Sequence, residues 1–329
     1  MPFEYRRAED VDGALALMTE NPGAAFLGGG TNLVDRMKLG VANPRMVIDV
    51  SRLPLAGVEV LSAGGVRIGA TVRNSDLAAH PVIRRRYAAL SRALLAGASG
   101  QLRNAATTAG NLMQATRCVY FQDVTTPCNK REPGSGCSAV GGYVRYHAIL
   151  GASDQCIAVH PSDMAVALAA LDAVVVVRDQ RGEHNIPVNE FYRLPGDSPE
   201  RDTVLTPDQL IVAVELPAPA PAALSTYVKT RDRASFAFAL VSVAAEIEIE
   251  NDIVAGARIA LGGVAHLPWR AYKAEEVLQG SPPTEEMFMR AANAELADAK
   301  PQSGNAFKIP LTRGVMVSVL RSLTTGGPT

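Results

Sequence analysis

Leu27-Gly28-Gly29-Gly30-Thr31-Asn32-Leu33 stands between a short apolar run, residues 24–27, and a segment of helical pattern passing through Asp35 to Leu39. Consecutive glycines at a strand-to-helix turn let backbone N–H groups approach a phosphate closely, and the helix start adds positive potential. Asn32 followed by Asp35 resembles a capping arrangement. A tight turn without any ligand explains such a loop about as well when it is taken alone.

Working outward, Asp10 is placed to cap an amphipathic helix over residues 11–20, which Asn21-Pro22-Gly23 closes. Residues 46–50 predict a strand, and 58–61 with 66–70 predict a hairpin about Gly64-Gly65. Ile83, Tyr87, Leu90 and Leu94 share one face of a helix expected over 82–96. From 117 to 160 cysteines, glycines and prolines appear without periodicity, which predicts an irregular insertion. Order resumes with a helix over 162–171 and a strand over 173–178. Pro217-Ala-Pro-Ala-Pro221 has the composition of a semi-rigid linker. Beyond it, strands at 242–249 and 253–261 turn about Asn251-Asp252, and helices follow at 272–278, 285–297 and 311–323. Strands followed by helices make a small α+β unit.

The composition is that of an ordinary globular chain: 329 residues, 47% hydrophobic, 20% charged, net charge −1. No basic field favours nucleic acid, and no apolar run is long enough for membrane insertion. The start, Met1 to Asp10, is charged rather than apolar, so a signal peptide is not expected and the sequence by itself predicts a cytoplasmic protein.

Two further stretches suit a phosphate-bearing ligand. Residues 101–112 are small and polar, with Thr107, Thr108, Gly110 and Asn111 offering hydroxyl, amide and bare backbone. His160-Pro161-Ser162-Asp163 opens a helix, although Ser162 as an N-cap accounts for it without a ligand. A Rossmann site fits less well. Its Gly-x-Gly-x-x-Gly fingerprint would need glycine where Leu33 stands, and a helix precedes the strand; only Asp49 falls near the place of the ribose-binding acid.

All four cysteines, Cys118, Cys128, Cys137 and Cys156, lie within the irregular insertion, which points to a shared role. The short paired spacings of a zinc site are missing. Two disulfides would need an oxidising compartment, and four thiolates could instead hold one [4Fe–4S] cluster. Spacing alone leaves the three open. The five histidines are scattered, with solvated or core-satisfied roles expected, and no nucleophile–base pair argues for a catalytic residue in this chain.

These pieces in this order resemble the FAD-binding (medium) subunit of the xanthine oxidase family of molybdenum hydroxylases, over nearly the whole chain. The resemblance implies an α+β fold: a vanillyl-alcohol-oxidase-type (PCMH-type) FAD-binding domain of two α+β subdomains, then a small α+β C-terminal domain. The corresponding ranges are 1–55, 56–217 with an iron–sulfur insertion at about 113–160, and 222–329. By the same resemblance the first phosphate loop is Leu27, Gly28, Gly29, Gly30, Thr31, Asn32 and Leu33, with Ala25 and Phe26 leading into it. The second contains Thr107, Gly110 and Asn111; where the family has Gly-Gly-Asn, this chain has Ala109-Gly110-Asn111. Asp163 is implied to accept hydrogen bonds from the sugar-like chain of FAD, Ile211 to touch the cofactor through apolar contact, and Lys229 to lie near the isoalloxazine ring.

Most such subunits pass directly from Gly-Asn-Leu to Ser-Asp, whereas this chain inserts residues 113–160. A comparable four-cysteine insertion marks two branches, the bacterial aldehyde oxidoreductases, including the periplasmic enzyme, and 4-hydroxybenzoyl-CoA reductase. Thr116-Arg-Cys-Val-Tyr-Phe-Gln-Asp and Thr126-Pro-Cys-Asn-Lys-Arg-Glu-Pro-Gly-Ser-Gly-Cys137 are similar to the aldehyde branch. The implied cofactors are FAD and a [4Fe–4S] cluster on the four cysteines, its charge offset by Arg117, Lys130 and Arg131 unless these form only an exposed basic loop. Four cysteines serve one cluster, so the molybdenum cofactor and [2Fe–2S] centres are implied on a large and a small partner subunit. The aldehyde would be oxidised to a carboxylic acid on the partner, and this electron-transfer subunit would pass the electrons to an external acceptor. A partner's twin-arginine signal could carry the folded heterotrimer to the periplasm. The rival readings are a hydroxybenzoyl-CoA reductase subunit, a structural zinc protein without redox role, and a free-standing NAD-dependent flavoenzyme.

Overall fold

A computed structural model describes residues 2–325; Met1 and residues 326–329, the ends of the first and last predicted domain ranges, lie outside the described residues. Three sheets organise the chain. The first holds β1 (Glu4–Arg7), β2 (Ala25–Leu27) and β3 (Met46–Asp49), with α1 (Val11–Glu20) and α2 (Leu33–Lys38) between them. The order β1-β3-β2 is parallel throughout, which two strands joined by a crossover helix require. Asp10 caps α1 as expected, accepting from the Gly13 N–H at 2.7 Å. Ala14, Leu15 and Met18 of that helix pack with Ile48 and Leu53 in a small core.

The second sheet begins with the hairpin β4 (Val58–Val60) and β5 (Val66–Gly69). A helical run follows: α3 (Asn74–Ala79), α4 (Pro81–Arg86), α5 (Ala88–Ala96), α6 (Gly100–Ala105) and α7 (Thr108–Leu112). The single helix expected over 82–96 is broken. Tyr87 leaves the helical region (φ −133°, ψ 58°) and donates its hydroxyl to the Pro217 carbonyl at 2.8 Å. Its predicted apolar face nevertheless stays together, since Ile83, Tyr87, Leu90 and Leu94 all enter the largest core. The insertion contains one short helix, α8 (Val119–Gln122), and then α9 (Asp163–Ala170) begins, with Ser162 accepting from the Ala165 N–H at 2.9 Å. Every residue of α9 is buried, and its alanines allow close approach to α5 on one side and to the third sheet on the other. β6 (Val174–Asp179), β7 (Gly182–Pro187), α10 (Val188–Phe191) and β8 (Leu210–Leu216) complete an antiparallel sheet of order β4-β5-β8-β6-β7.

The third sheet comprises β9 (Leu224–Thr230), β10 (Val241–Glu250), β11 (Ile253–Gly262) and β12 (Trp269–Arg270), in the order β12-β11-β10-β9. Asn251 and Asp252 turn β10 into β11 with both φ values positive (50° and 60°), the type I′ geometry that asparagine and aspartate tolerate. α11 (Tyr272–Leu278), α12 (Glu285–Leu296) and α13 (Lys308–Thr325) cover this sheet around its own apolar core. α13 starts before the predicted 311, because Lys308 is drawn inward. No helix among the described residues is long and apolar enough to cross a membrane.

Candidate functional site

The glycine loop closes one side of a cavity of about 290 Å³ between the first two sheets. Every predicted residue from Ala25 to Leu33 lines it except Leu27, joined by Thr107, Gly110 and Ile211. The glycines lie close against the second loop. A methyl on Gly28 would meet the Thr107 Oγ1 at 2.7 Å, and one on Gly29 would stand 1.9 Å from the Ala105 carbonyl oxygen. Gly30 takes a positive φ of 73°, open to glycine at little cost. Thr108 is buried and bonded to the Val72 carbonyl, so Thr107 is the second loop's hydroxyl on the cavity wall, beside those of Thr31 and Thr71. Asn32 does not cap α2. Its Oδ1 instead accepts from the Ala115 N–H at 3.1 Å, tying the loop to the insertion, and its Nδ2 is buried without a partner.

The one charged residue lining this cavity among the described residues is Arg36, which the sequence reading passed over. It follows Asn32 by four residues, so both share a helix face, and that spacing was the available signal. Its Nε is buried without a hydrogen-bond partner, and burial lowers its pKa against the opposing field of Asp202. Asp49, the alternative ribose-binding acid, is occupied elsewhere: it accepts from the Tyr5 hydroxyl at 2.5 Å, the Arg7 Nε at 3.2 Å and the Ser51 N–H at 2.9 Å. Burial acts to raise its pKa, but these bonds prevail and hold it at about 2.

A second cavity, of about 390 Å³, opens where the insertion meets the third sheet. Gly110 lines the first cavity and Ser162 the second. Between them the Ser162 hydroxyl donates to the Asn111 Oδ1 at 2.6 Å. Asp163 lines the second cavity and is held from behind: the Tyr227 hydroxyl donates to its Oδ1 at 2.5 Å and the Lys229 ammonium to its Oδ2 at 2.7 Å. Lys229 also donates to the Ala96 carbonyl, is almost wholly buried and lines neither large cavity. The structure thus places Lys229 behind Asp163 and not on the cavity wall. Phe236 and Phe238 also line this cavity.

The four cysteines are free thiols and line one small cavity together. A tight turn pairs Cys128 with Cys137, while Gly134 and Gly136 take positive φ within it. Burial pushes the Cys118 thiol up to about 11, although the N–H groups of Phe121 and Tyr120 donate to its sulfur. The Cys156 thiol rises to about 12 for the same reason, opposed by the Ala158 N–H and the charge of Lys130. Among the described residues no group of three or more His, Cys, Asp or Glu side chains is arranged to hold a single metal ion. Cys118 and Thr116 line both this cavity and the larger one beside Asp163.

The basic residues of the insertion do not form an exposed loop. Lys130 is buried and bonded to Asp202 and to the Pro199 carbonyl, both at 2.5 Å. Arg131 donates to the carbonyls of Tyr120, Phe121 and Thr126. Arg117 lies 5.2 Å over the Phe238 ring. Of the histidines, His160 packs against Tyr192 and accepts at Nδ1 from the Ser162 N–H at 3.3 Å while its Nε2 is buried without a partner, and the His266 Nε2 stands 3.2 Å from Asp202. His147 differs: its Nε2 lies 3.2 Å from the Cys118 Sγ. Burial, then the charge of Lys308, lowers its pKa to about 4.

Residues 1–219 match the family model described as the FAD binding domain in molybdopterin dehydrogenase, and residues 226–323 match that of the CO dehydrogenase flavoprotein C-terminal domain. The chain is 52% identical to the aldehyde oxidoreductase FAD-binding subunit PaoB of Escherichia coli (strain K12), covering 97% of each. It is 24% identical to the glyceraldehyde dehydrogenase medium chain of Sulfolobus acidocaldarius, over 92% of this chain and 89% of that one. Among solved structures, a carbon monoxide dehydrogenase chain from Hydrogenophaga pseudoflava superposes with a TM-score of 0.78 at 24% identity, over 100% of this chain and 99% of the other.

Proposed function

Because the chain belongs to the family of FAD-binding domains in molybdopterin dehydrogenases, we propose that it is the FAD- and [4Fe–4S]-binding electron-transfer subunit of a molybdenum-dependent aldehyde oxidoreductase. FAD binding, oxidoreductase class and assembly with a large molybdenum and a small iron–sulfur subunit rest on the family and on the close relative. One observation carries the finer reading. Four free thiols line a single cavity that shares Thr116 and Cys118 with the cavity beside Asp163.

The residues present fit an extended dinucleotide. Leu53, Leu55, Leu205 and Ile211 offer an apolar wall for the adenine. The backbone of residues 28–32 with Thr107 suits the diphosphate, whose charge Arg36, its Nε without a partner, would offset. A carboxylate has about four lone-pair sites, and Asp163 accepts one bond each from Tyr227 and Lys229, so it can still accept from the sugar-like chain. Lys229 acts through Asp163 in this reading, and the aromatic cavity takes the ring. When bound, FAD supplies a two-electron carrier that an external acceptor can empty.

The thiols also fit a cluster better than a zinc ion. Bonds of about 2.3 Å draw four sulfurs around one zinc to within roughly 4 Å of each other, an arrangement not found among the described residues. A cubane, with iron and sulfide at alternate corners and one thiolate on each iron, keeps its four cysteine ligands farther apart. Buried thiols with high pKa must lose protons to bind metal, and the N–H groups aimed at Cys118 and Cys156 favour the resulting thiolates. We assign residues 1–55, 56–217 and 222–329 as the three domains, with no catalytic residue in this chain.

The test is to purify the complex anaerobically and measure FAD and iron per copy of this chain, in the wild type and in Cys128→Ser. One FAD, with four irons lost in the variant, is the expected result. Zinc or no metal at the cysteines would overturn the cluster, and absent flavin would overturn the whole reading.

A further inference from the structure

His147 stands beside Cys118, which with Thr116 lines both the cavity assigned to the flavin ring and the cavity the four cysteines share. Its ring is 4% exposed and helps line the cavity assigned to the flavin ring, while its Nε2 lies 3.2 Å from the sulfur of Cys118, which lines both. The geometry points to His147 as a positioning residue that donates its Nε2–H to the Cys118 thiolate and thereby raises the reduction potential of the cluster those four cysteines hold. This inference rests on the cluster assignment above.

The direction follows from elementary chemistry. A metal-bound cysteine is a thiolate and can only accept, so the bond requires the histidine proton on Nε2, with Nδ1, which has no hydrogen-bond partner, as the bare nitrogen. An N–H donor stabilises the sulfur most when the cluster holds an extra electron, which favours reduction. Cys118 and Cys156 receive backbone N–H groups, whereas His147 is the side-chain donor. Its place is also fixed from outside the insertion. The His147 carbonyl accepts from the buried Lys308 ammonium at 2.9 Å and from the Asn305 amide at 3.2 Å. Those two residues belong to the start of the last helix and the loop before it, so the C-terminal unit holds the histidine against the cysteine. Tyr120 lies alongside, its ring tilted by 40° at a centroid distance of 6.5 Å. Cys118, the one cysteine that also lines the cavity assigned to the flavin ring, is therefore the one whose sulfur meets a side-chain donor.

The experiment compares wild type, His147→Phe and His147→Gln in the intact complex. Iron and FAD are counted, and the cluster midpoint is followed by electron paramagnetic resonance during a redox titration. The expected result is four irons in all three and a more negative midpoint in His147→Phe. The loss should be about tenfold in the reduced-to-oxidised ratio, or 59 mV for one electron, with His147→Gln, which keeps an N–H, close to wild type. An unchanged midpoint in His147→Phe would overturn the assignment, as would equal iron loss in both variants, which would mark a packing residue. A wild-type complex with FAD but without iron at these cysteines would instead remove the cluster reading on which the inference stands.

Discussion

Replacing Gly29 by alanine tests whether the glycine loop is built for close backbone approach. The added methyl would lie 1.9 Å from the Ala105 carbonyl oxygen, 2.6 Å from its carbon and 3.1 Å from the Ala106 Cα. Ordinary contact needs about 3.5 Å. All three atoms are backbone, so no side-chain rotation can relieve the overlap, and the loop must withdraw from residues 105–107 by more than about 1 Å. Overpacking of this kind costs roughly 1–3 kcal/mol. If that strain is released by moving the loop off the diphosphate, each 1.4 kcal/mol is tenfold in affinity, giving FAD binding about 5- to 150-fold weaker. The assay is titration of flavin-depleted complex with FAD, followed by quenching of flavin fluorescence. Gly100→Ala serves as control, since a methyl there meets nothing within 4 Å at the start of α6. FAD affinity within twofold of wild type in Gly29→Ala, with unaltered thermal stability, would refute the reasoning.

Arg36→Gln should weaken FAD binding by about 10- to 100-fold, the worth of a charge-assisted bond, and leave riboflavin binding unchanged because riboflavin has no phosphate. For the buried Lys229–Asp163 pair, either Lys229→Met or Asp163→Asn alone should destabilise by about 3–5 kcal/mol, since each leaves its partner unpaired. The double variant should regain most of that in thermal midpoint; if its loss equals the sum of the single losses, the pair is not coupled. His160 is held at about 4, chiefly by burial, against about 6.5 unfolded. Below pH 6.5 the unfolded chain takes up this proton first, so the stability from a neutral His160 is full above 6.5 and is lost progressively as the pH falls to about 4. His160→Asn should reduce the slope of stability against pH by up to one proton in that window, measured by urea denaturation at successive pH values.

Much of this was legible because it is local. The cap at Asp10, the cap at Ser162 and the Asn251-Asp252 turn each concern residues within a few positions, and each formed as the sequence predicts. The glycine loop was legible as a loop but not in its reasons, since Gly29 is explained by Ala105, far along the chain. The break at Tyr87 was hidden because the apolar face continues unbroken through it, and only the distant Pro217 carbonyl reveals where the hydroxyl goes. Lys130, with the composition of an exposed basic loop, is buried because Asp202 and Pro199 come to it from about seventy residues away. Pattern records which residues are apolar, not which polar residues meet.

The insertion shows how an aperiodic segment is specified all the same. Its conformation comes from side chains bonded to carbonyls: Arg131 on Tyr120, Phe121 and Thr126 within it, and Asn129 on Gln155 across it. Its outer anchors reach both large units, through Lys130 to Asp202 and through Lys308 to His147. Lys308 is fully buried, has two carbonyl acceptors and no carboxylate, and is pushed down to about 7 by burial and then by Arg145. A lysine so placed is costly. What it joins is the carbonyl of His147 in the insertion and that of Gly263 beyond β11, two residues that line the same cavity. A surface loop that merely decorated the fold would have no use for such a clamp. One that had to keep Cys118 and His147 in register with a cofactor on the neighbouring unit would, and the cost of burying Lys308 is intelligible on those terms.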